Sequence, residues 1–209
     1  MMKIESVSSQ PDRVGRHTVR FEDGTVMRLY RQTVEDFGIY PGQEFSPDEI
    51  SRLREAAGAM SAKMRAVRIV AASNVSCRSL ERKLIQKGES PHQAKDAVQW
   101  MSDLQLVDDR RTANQIVQRC ANKGYGIARA KQALYEKQIP KVYWEEALES
   151  YPDQTESIVA FLKTRLGDDW DQKDLHRAMD ALVRRGHSYS EIRKALTQLS
   201  LDTNDFPEG

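Results

Sequence analysis

Between His17 and Tyr30 the stretch HTVRFEDGTVMRLY alternates apolar and polar positions, with Val19 and Phe21 before an Asp23-Gly24 pair and Met27 and Leu29 after it. A period of two reads as strand, and a glycine that accepts positive φ reads as the turn of a hairpin, so the pair predicts a primed turn. MKIESVSS near the N-terminus adds a third strand, and Pro41-Gly42 breaks the chain. SPDEISRLREAAGAM then opens a helix. Ser46 caps it, Pro47 suits the first turn, and Asp48 and Glu49 favour its positive end. Residues 1–60 are expected to form a small β-rich module with a helix leading out.

From residue 62 onward the period becomes helical. AKMRAVRIVAAS sets Met64, Val67, Val70 and Ala71 on one face. SCRSLERKLIQKG spaces Leu80 and Leu84 four apart, with Ser76 as cap and Gly88 as stop. SPHQAKDAVQWMSDLQLV starts again at Ser90 and Pro91 and aligns Ala94, Val98 and Met101. The same spacing recurs. Leu84, Gly88 and Val98 correspond to Leu134, Gln138 and Leu148, and again to Leu182, Gly186 and Leu196. The third helix of each unit opens at Ser90, just before Pro140, and at Ser188. The pattern predicts a mainly α fold: an elongated, curved array of three tandem three-helix repeats (62–109, 110–151 and 153–201) behind the β-rich module, with a frayed polar tail at 202–209. A repeat array presents a long face, which suits an extended or polymeric partner better than a small molecule.

Composition narrows this. Of 209 residues, 39% are hydrophobic and 30% charged, so the chain is a charge-rich soluble protein. No apolar run approaches the ~20 residues of a membrane helix, and no signal-type segment opens the chain, which predicts a cytoplasmic protein without membrane contact. Cys77 and Cys120 lie far apart with no ligand-type spacing around them, so no metal is expected. The net charge of +1 hides an asymmetry. Residues 62–95 hold 8 basic and 2 acidic side chains, residues 110–141 hold 8 and 1, and residues 142–209 hold 8 and 14. A basic centre attracts phosphates or an acidic protein surface.

Three candidate features follow. Paired carboxylates at Asp108-Asp109 could hold a cation or share a proton, but no further ligands are identifiable; capping of the next helix explains them better. Gly124-Tyr125-Gly126 lacks the P-loop spacing, so Gly124 reads as a left-handed helix end and Gly126 as a tight entry to the next helix. Tyr125 either sits exposed on that turn or packs against a neighbouring helix. Around the loop stand Arg110, Arg111, Arg119, Lys123, Arg129 and Lys131, with Arg119 and Lys123 four apart on one face, as are Arg78 and Arg82 in the first repeat. Such rows can track phosphates or meet an acidic groove. The four histidines fall at no diagnostic spacing, and Trp100, Trp144 and Trp170 read as core.

The three repeats, the S-x-x-x-L-x-x-x-L-x-x-K-G run from Ser76 to Gly88, and LVDDRRTA followed by KGYGIARAKQALYEKQIP resemble the RecX family of recombination regulators. The resemblance covers about residues 62–201 and is strongest over 76–140. Thr112 stands where the family usually has an aromatic residue, Val75 where it often has Arg, and Ser79 where it usually has Glu. The resemblance implies a non-enzymatic protein without cofactor, and a monomer is expected. It would bind the filament of the RecA recombinase on single-stranded or duplex DNA, and restrain ATP hydrolysis, filament growth and strand exchange, or promote filament disassembly, in recombination, DNA repair and the SOS response. It nominates the basic residues above, with Tyr125, as the recombinase- and DNA-facing set. A stand-alone DNA-binding protein is the alternative reading, and a metal-dependent nuclease using Asp108 and Asp109 the remote one.

Overall fold

The computed structural model describes residues 1–167 and 169–199. The expected tail at 202–209 and the last two residues of the third predicted repeat lie outside them. The chain divides into two compact units, one ending at Val107 and the other beginning at Asp108.

The first unit opens with four strands: β1 (Met2–Val7), β2 (Arg16–Phe21), β3 (Val26–Tyr30) and β4 (Glu44–Phe45). They form one sheet in the order β3-β2-β1-β4, with antiparallel neighbours. Val19 pairs with Met27 across the hairpin, and Ile4 with Phe21 on the other side of β2. The alternating apolar positions meet Ile39, Phe45, Ile50 and Leu53 in a core under the sheet. The hairpin turn differs from the primed turn predicted. Only Gly24 has positive φ (84°), and Phe21 and Thr25 flank a three-residue connection in which the Gly24 N–H donates to the Phe21 carbonyl. That is a turn closed by a left-handed glycine, further held by the Thr25 N–H donating to the Asp23 carboxylate (2.9 Å). A short helix, α1 (Arg31–Asp36), follows β3.

α2 (Pro47–Ala72) begins as expected, with a reciprocal capping box between Ser46 and Glu49. The break expected between residues 60 and 62 is absent: the lead-out helix and the first helix of the first repeat are one 26-residue element. Its two halves serve different cores. Ile50 and Leu53 join the sheet core, while Ala62 and Ala66 join the helical one. The expected face is also rotated. Ala62 and Ala66 are buried, Val67 and Val70 only partly, and Ala71 is exposed. Small side chains on the buried stripe let the helix lie close against its neighbours. α3 (Cys77–Gln86) is capped by Ser76 and α4 (Pro91–Asp103) by Ser90. Leu80, Leu84, Ala94, Val98 and Met101 fill the core between them.

The second unit holds α5 (Asp109–Asn122), α6 (Ile127–Glu136), a 3-10 turn at Lys141–Tyr143 that runs into α7 (Trp144–Glu149), then α8 (Thr155–Leu166), α9 (Gln172–Arg184) and α10 (Tyr189–Gln198). Pro140 does not sit inside its helix. It precedes the 3-10 turn in an extended conformation, so this helix is short and starts late. The three leucine anchors Leu84, Leu134 and Leu182 are all buried, and the three middle helices end on left-handed residues: Gly88 (φ 93°), Gln138 (φ 56°) and Gly186 (φ 89°). Trp100, Trp144 and Trp170 each pack against one of the helical cores.

Candidate nucleic-acid and partner interface

α5 carries the densest set of nominated residues. Its entry is set by Asp108, whose carboxylate accepts from the Arg111 N–H at 3.0 Å. That bond satisfies one of the orphan donors at a helix start. Asp109 is the first helical residue and is buried. The inner stripe is Asp109, Thr112, Ala113, Val117, Cys120 and Ala121, a helical spacing against the core of the second unit. Thr112, at the position where the resemblance leads one to expect an aromatic side chain, is buried.

The same periodicity forces the remaining residues outward. Arg110, Arg111, Asn114, Gln115, Gln118, Arg119, Asn122 and Lys123 are all exposed, and with Asp108 they line one open trough along α5. Cations alternate there with amides that donate as well as accept. Arg110 is engaged by Glu146 of α7, through an Nε–Oε1 bond of 2.8 Å and a second contact from its terminal nitrogen. Among the described residues, no carboxylate pairs with Arg111, Arg119 or Lys123.

The other nominated residues divide. Tyr125 is half-buried with the Arg185 guanidinium over its ring (5.9 Å), and its carbonyl accepts from the Tyr151 hydroxyl at 2.7 Å. It therefore packs within the second unit. Gly124 (φ 63°) ends α5 in the left-handed region, and Gly126 precedes α6. Arg129 on α6 is half-buried and points along its helix toward Glu136, whereas Lys131 is exposed. Arg78 and Arg82 are exposed on α3, and Ser76 and Gly88 bound that helix.

The sequence reading missed two features. His187 is buried, and its Nε2 lies 3.0 Å from the Gly124 carbonyl, the geometry of an imidazole N–H donor. Loss of solvent lowers its pKa from the ordinary 6.5. The residue after Gly186 holds the place that Glu89 holds after Gly88, and that correspondence was the available signal. A group of cations in the first unit was also missed: Arg16, Arg65, Arg68, Lys83 and Lys87 line a single cleft. Burial raises the Cys120 thiol pKa, which disfavours the reactive thiolate. Among the described residues, no three His, Cys, Asp or Glu side chains are grouped to hold a metal ion. No described helix is long and apolar enough to cross a membrane.

Residues 108–148 match the family model of the second three-helix domain of RecX. Regulatory protein RecX of Stenotrophomonas maltophilia (strain R551-3) is 30% identical over 134 residues, a match covering 63% of this chain and 82% of that protein. The chain belongs to the RecX family. Regulatory protein RecX of Xanthomonas axonopodis pv. citri (strain 306) is 29% identical over 156 residues, covering 73% of this chain and 94% of the relative. A crystal structure of regulatory protein RecX shares the fold at a TM-score of 0.68 and 17% identity, over 93% of this chain and all of that one. The RecX model match spans α5 to α7 and so includes the trough; Arg78 and Arg82 lie outside it.

Proposed function

We propose that this RecX-family protein binds filaments of a RecA-type recombinase on DNA in the cytoplasm and restrains their ATPase, growth and strand exchange without catalysis of its own. The reading rests on one observation: the outer face of α5 carries Arg111, Arg119 and Lys123, without carboxylate partners among the described residues, interleaved with Asn114, Gln115, Gln118 and Asn122. Such a face offers charge to phosphates and acidic side chains, and directed hydrogen bonds between them. Arg78, Arg82, Arg110, Arg129, Lys131 and Tyr125 would extend or support it, with Arg110 and Arg129 weakened by their own glutamates. Asp108 already caps α5, and Asp109 faces inward, which supports a structural role for both over a nuclease role.

The test is DNA-stimulated ATP hydrolysis by the recombinase, with and without this protein. Substoichiometric inhibition is expected, and Arg119→Glu with Lys123→Glu should remove it. Unchanged hydrolysis and strand exchange would overturn the reading. The alternative, a stand-alone DNA-binding protein, draws on the same interleaved amides. It predicts tight, salt-sensitive binding to bare DNA by a protein that leaves filament ATPase untouched.

A further inference from the structure

The first unit has a cationic cleft of its own. Its walls come from three separate stretches: the loop before β2, the C-terminal half of α2, and the end of α3. It has a volume of about 600 Å³. Three of its five cations are already held by neighbours. Arg65 donates from Nε to the buried Glu89 carboxylate (2.6 Å), which also accepts from the Ser61 hydroxyl (3.1 Å). That bond uses one edge of the guanidinium and leaves its two terminal amino groups. Arg68 is held by the neutral Tyr30 hydroxyl (3.1 Å), so its charge is undiminished. Arg16 is largely spent on Asp12. Lys83 and Lys87, four apart at the end of α3, pair with no carboxylate among the described residues. Between these charges the cleft is lined by the apolar Val14, Ile69 and Ala72, with Ser73 beside them.

Converging like charges repel one another, and an anion between them relieves the repulsion. The cleft offers preset guanidiniums, movable ammonium groups and an apolar surface beside them. A carboxylate side chain would use only the first two. A nucleotide unit brings a phosphate together with a sugar and a ring, and uses all three. A base can reach an apolar wall only where it is unpaired. We propose that this cleft binds the backbone of a single nucleic-acid strand, with Arg65, Arg68, Lys83 and Lys87 against its phosphates and Val14, Ile69 and Ala72 beneath a sugar or base. The inference goes beyond the α5 face: none of these residues belongs to α5 or to the segment that matches the RecX domain model.

Fluorescence anisotropy of a labelled short oligothymidylate, titrated with the full-length protein over a series of salt concentrations, tests it. In Lys83→Ala/Lys87→Ala the slope of log affinity against log salt should become shallower by about 1.4, with affinity lower on the order of tenfold near 0.1 M salt. Arg68→Gln should lose about half of that slope. Lys163→Ala/Lys173→Ala removes the same charge from exposed positions in the second unit and should bind as wild type. Far-UV circular dichroism checks that each variant is folded. Wild-type binding by both cleft variants would overturn the proposal, as would an equal loss in the control, which would mark a diffuse field. An oligoglutamate peptide that binds the wild type and loses binding in the cleft variants, while the oligonucleotide does not, would also overturn it and assign the cleft to an acidic protein. Arg119→Glu/Lys123→Glu, run alongside, reads the α5 face separately, so failure of one surface is distinguishable from failure of the other.

Discussion

The ends of α3 and α9 share a local plan and are held by different forces. After α3, Gly88 turns left-handed, its N–H donates to the Ile85 carbonyl, and the Glu89 N–H reaches back to Leu84 (3.1 Å). After α9, Gly186 does the same toward Val183, and the His187 N–H reaches back to Leu182 (3.2 Å). Both are Schellman endings, and both bury the residue that follows the glycine. Glu89 then uses charge, pairing with Arg65 inside the first unit. His187 uses a neutral hydrogen bond to the Gly124 carbonyl, and backbone hydrogen bonds join the turn around it to the start of α6. The Gly126 N–H donates to the Arg185 carbonyl (3.0 Å), and the Ala128 N–H donates to the Gly186 carbonyl (3.2 Å). One ending adds an ion pair to the shared plan. The other adds a neutral imidazole bond and a close backbone fit.

The sharpest break of this contrast is Gly126→Ala. An added Cβ would fall on the Gly186 carbonyl and the His187 N–H, both backbone, so the α6 entry and the α9 exit must part. The expected loss is about 3 kcal/mol, read from urea unfolding of the full chain. A loss under ~1 kcal/mol would mean that the joint has slack and is not shape-limited. The charge-dependent ending should respond next. Glu89→Gln keeps the volume and an acceptor but removes the counter-charge of Arg65 in a half-buried position. Because Arg65 keeps some solvent, about 2 kcal/mol is expected rather than the cost of a fully buried pair. A neutral result would show that the pair contributes no more than a surface one.

The two endings should also separate by pH. His187 has a lowered folded-state pKa, so between that value and 6.5 the unfolded chain binds a proton that the native chain refuses. Its contribution is therefore present above pH 6.5 and is lost as pH falls through the folded pKa. His187→Gln keeps an N–H donor without a titration. Thermal midpoints of the variant should fall less steeply than those of the wild type as pH drops below 6.5. Parallel curves would remove His187 as the source of any acid sensitivity.

These differences also mark what the sequence made legible. The leucine anchors, the serine caps, the Asp108 cap and the helix stops depend on residues within a turn or two of each other, and periodicity exposes such signals. The non-glycine stop at Gln138 was found because the repeat spacing pointed to it. What escaped depends on partners distant in the chain. Gly126 and Gly186 were each legible as helix punctuation, but their contact spans the whole of α6 to α9. Continuity of α2 across residue 61 follows from alanines packing in one core and Ile50 and Leu53 in another, which no local window contains. β4 is two residues long and exists only because β1 is there to pair with it. On the candidate site, the outward row on α5 followed from helical spacing. The engagement of Arg110 by Glu146, the packing of Tyr125 and the cleft around Arg68 did not.

A last substitution separates crowding by backbone from crowding by side chain. Gly58 lies in the interior of α2, and an added Cβ there would be as crowded as one at Gly126, but its obstacle is the amide end of Gln93. Gln93 is half-buried, and its backbone N–H, not its side chain, serves the Ser90 cap. The amide can swing aside without moving α4. Alanine in a helix interior is favoured over glycine by about 1 kcal/mol, since glycine loses more backbone freedom on folding. Gly58→Ala should therefore leave stability unchanged or raise it by up to about 1 kcal/mol in the same urea measurement. A loss comparable to that of Gly126→Ala would mean that α2 and α4 meet as rigidly as the glycine joint of the second unit, and the distinction between the two kinds of contact would fail.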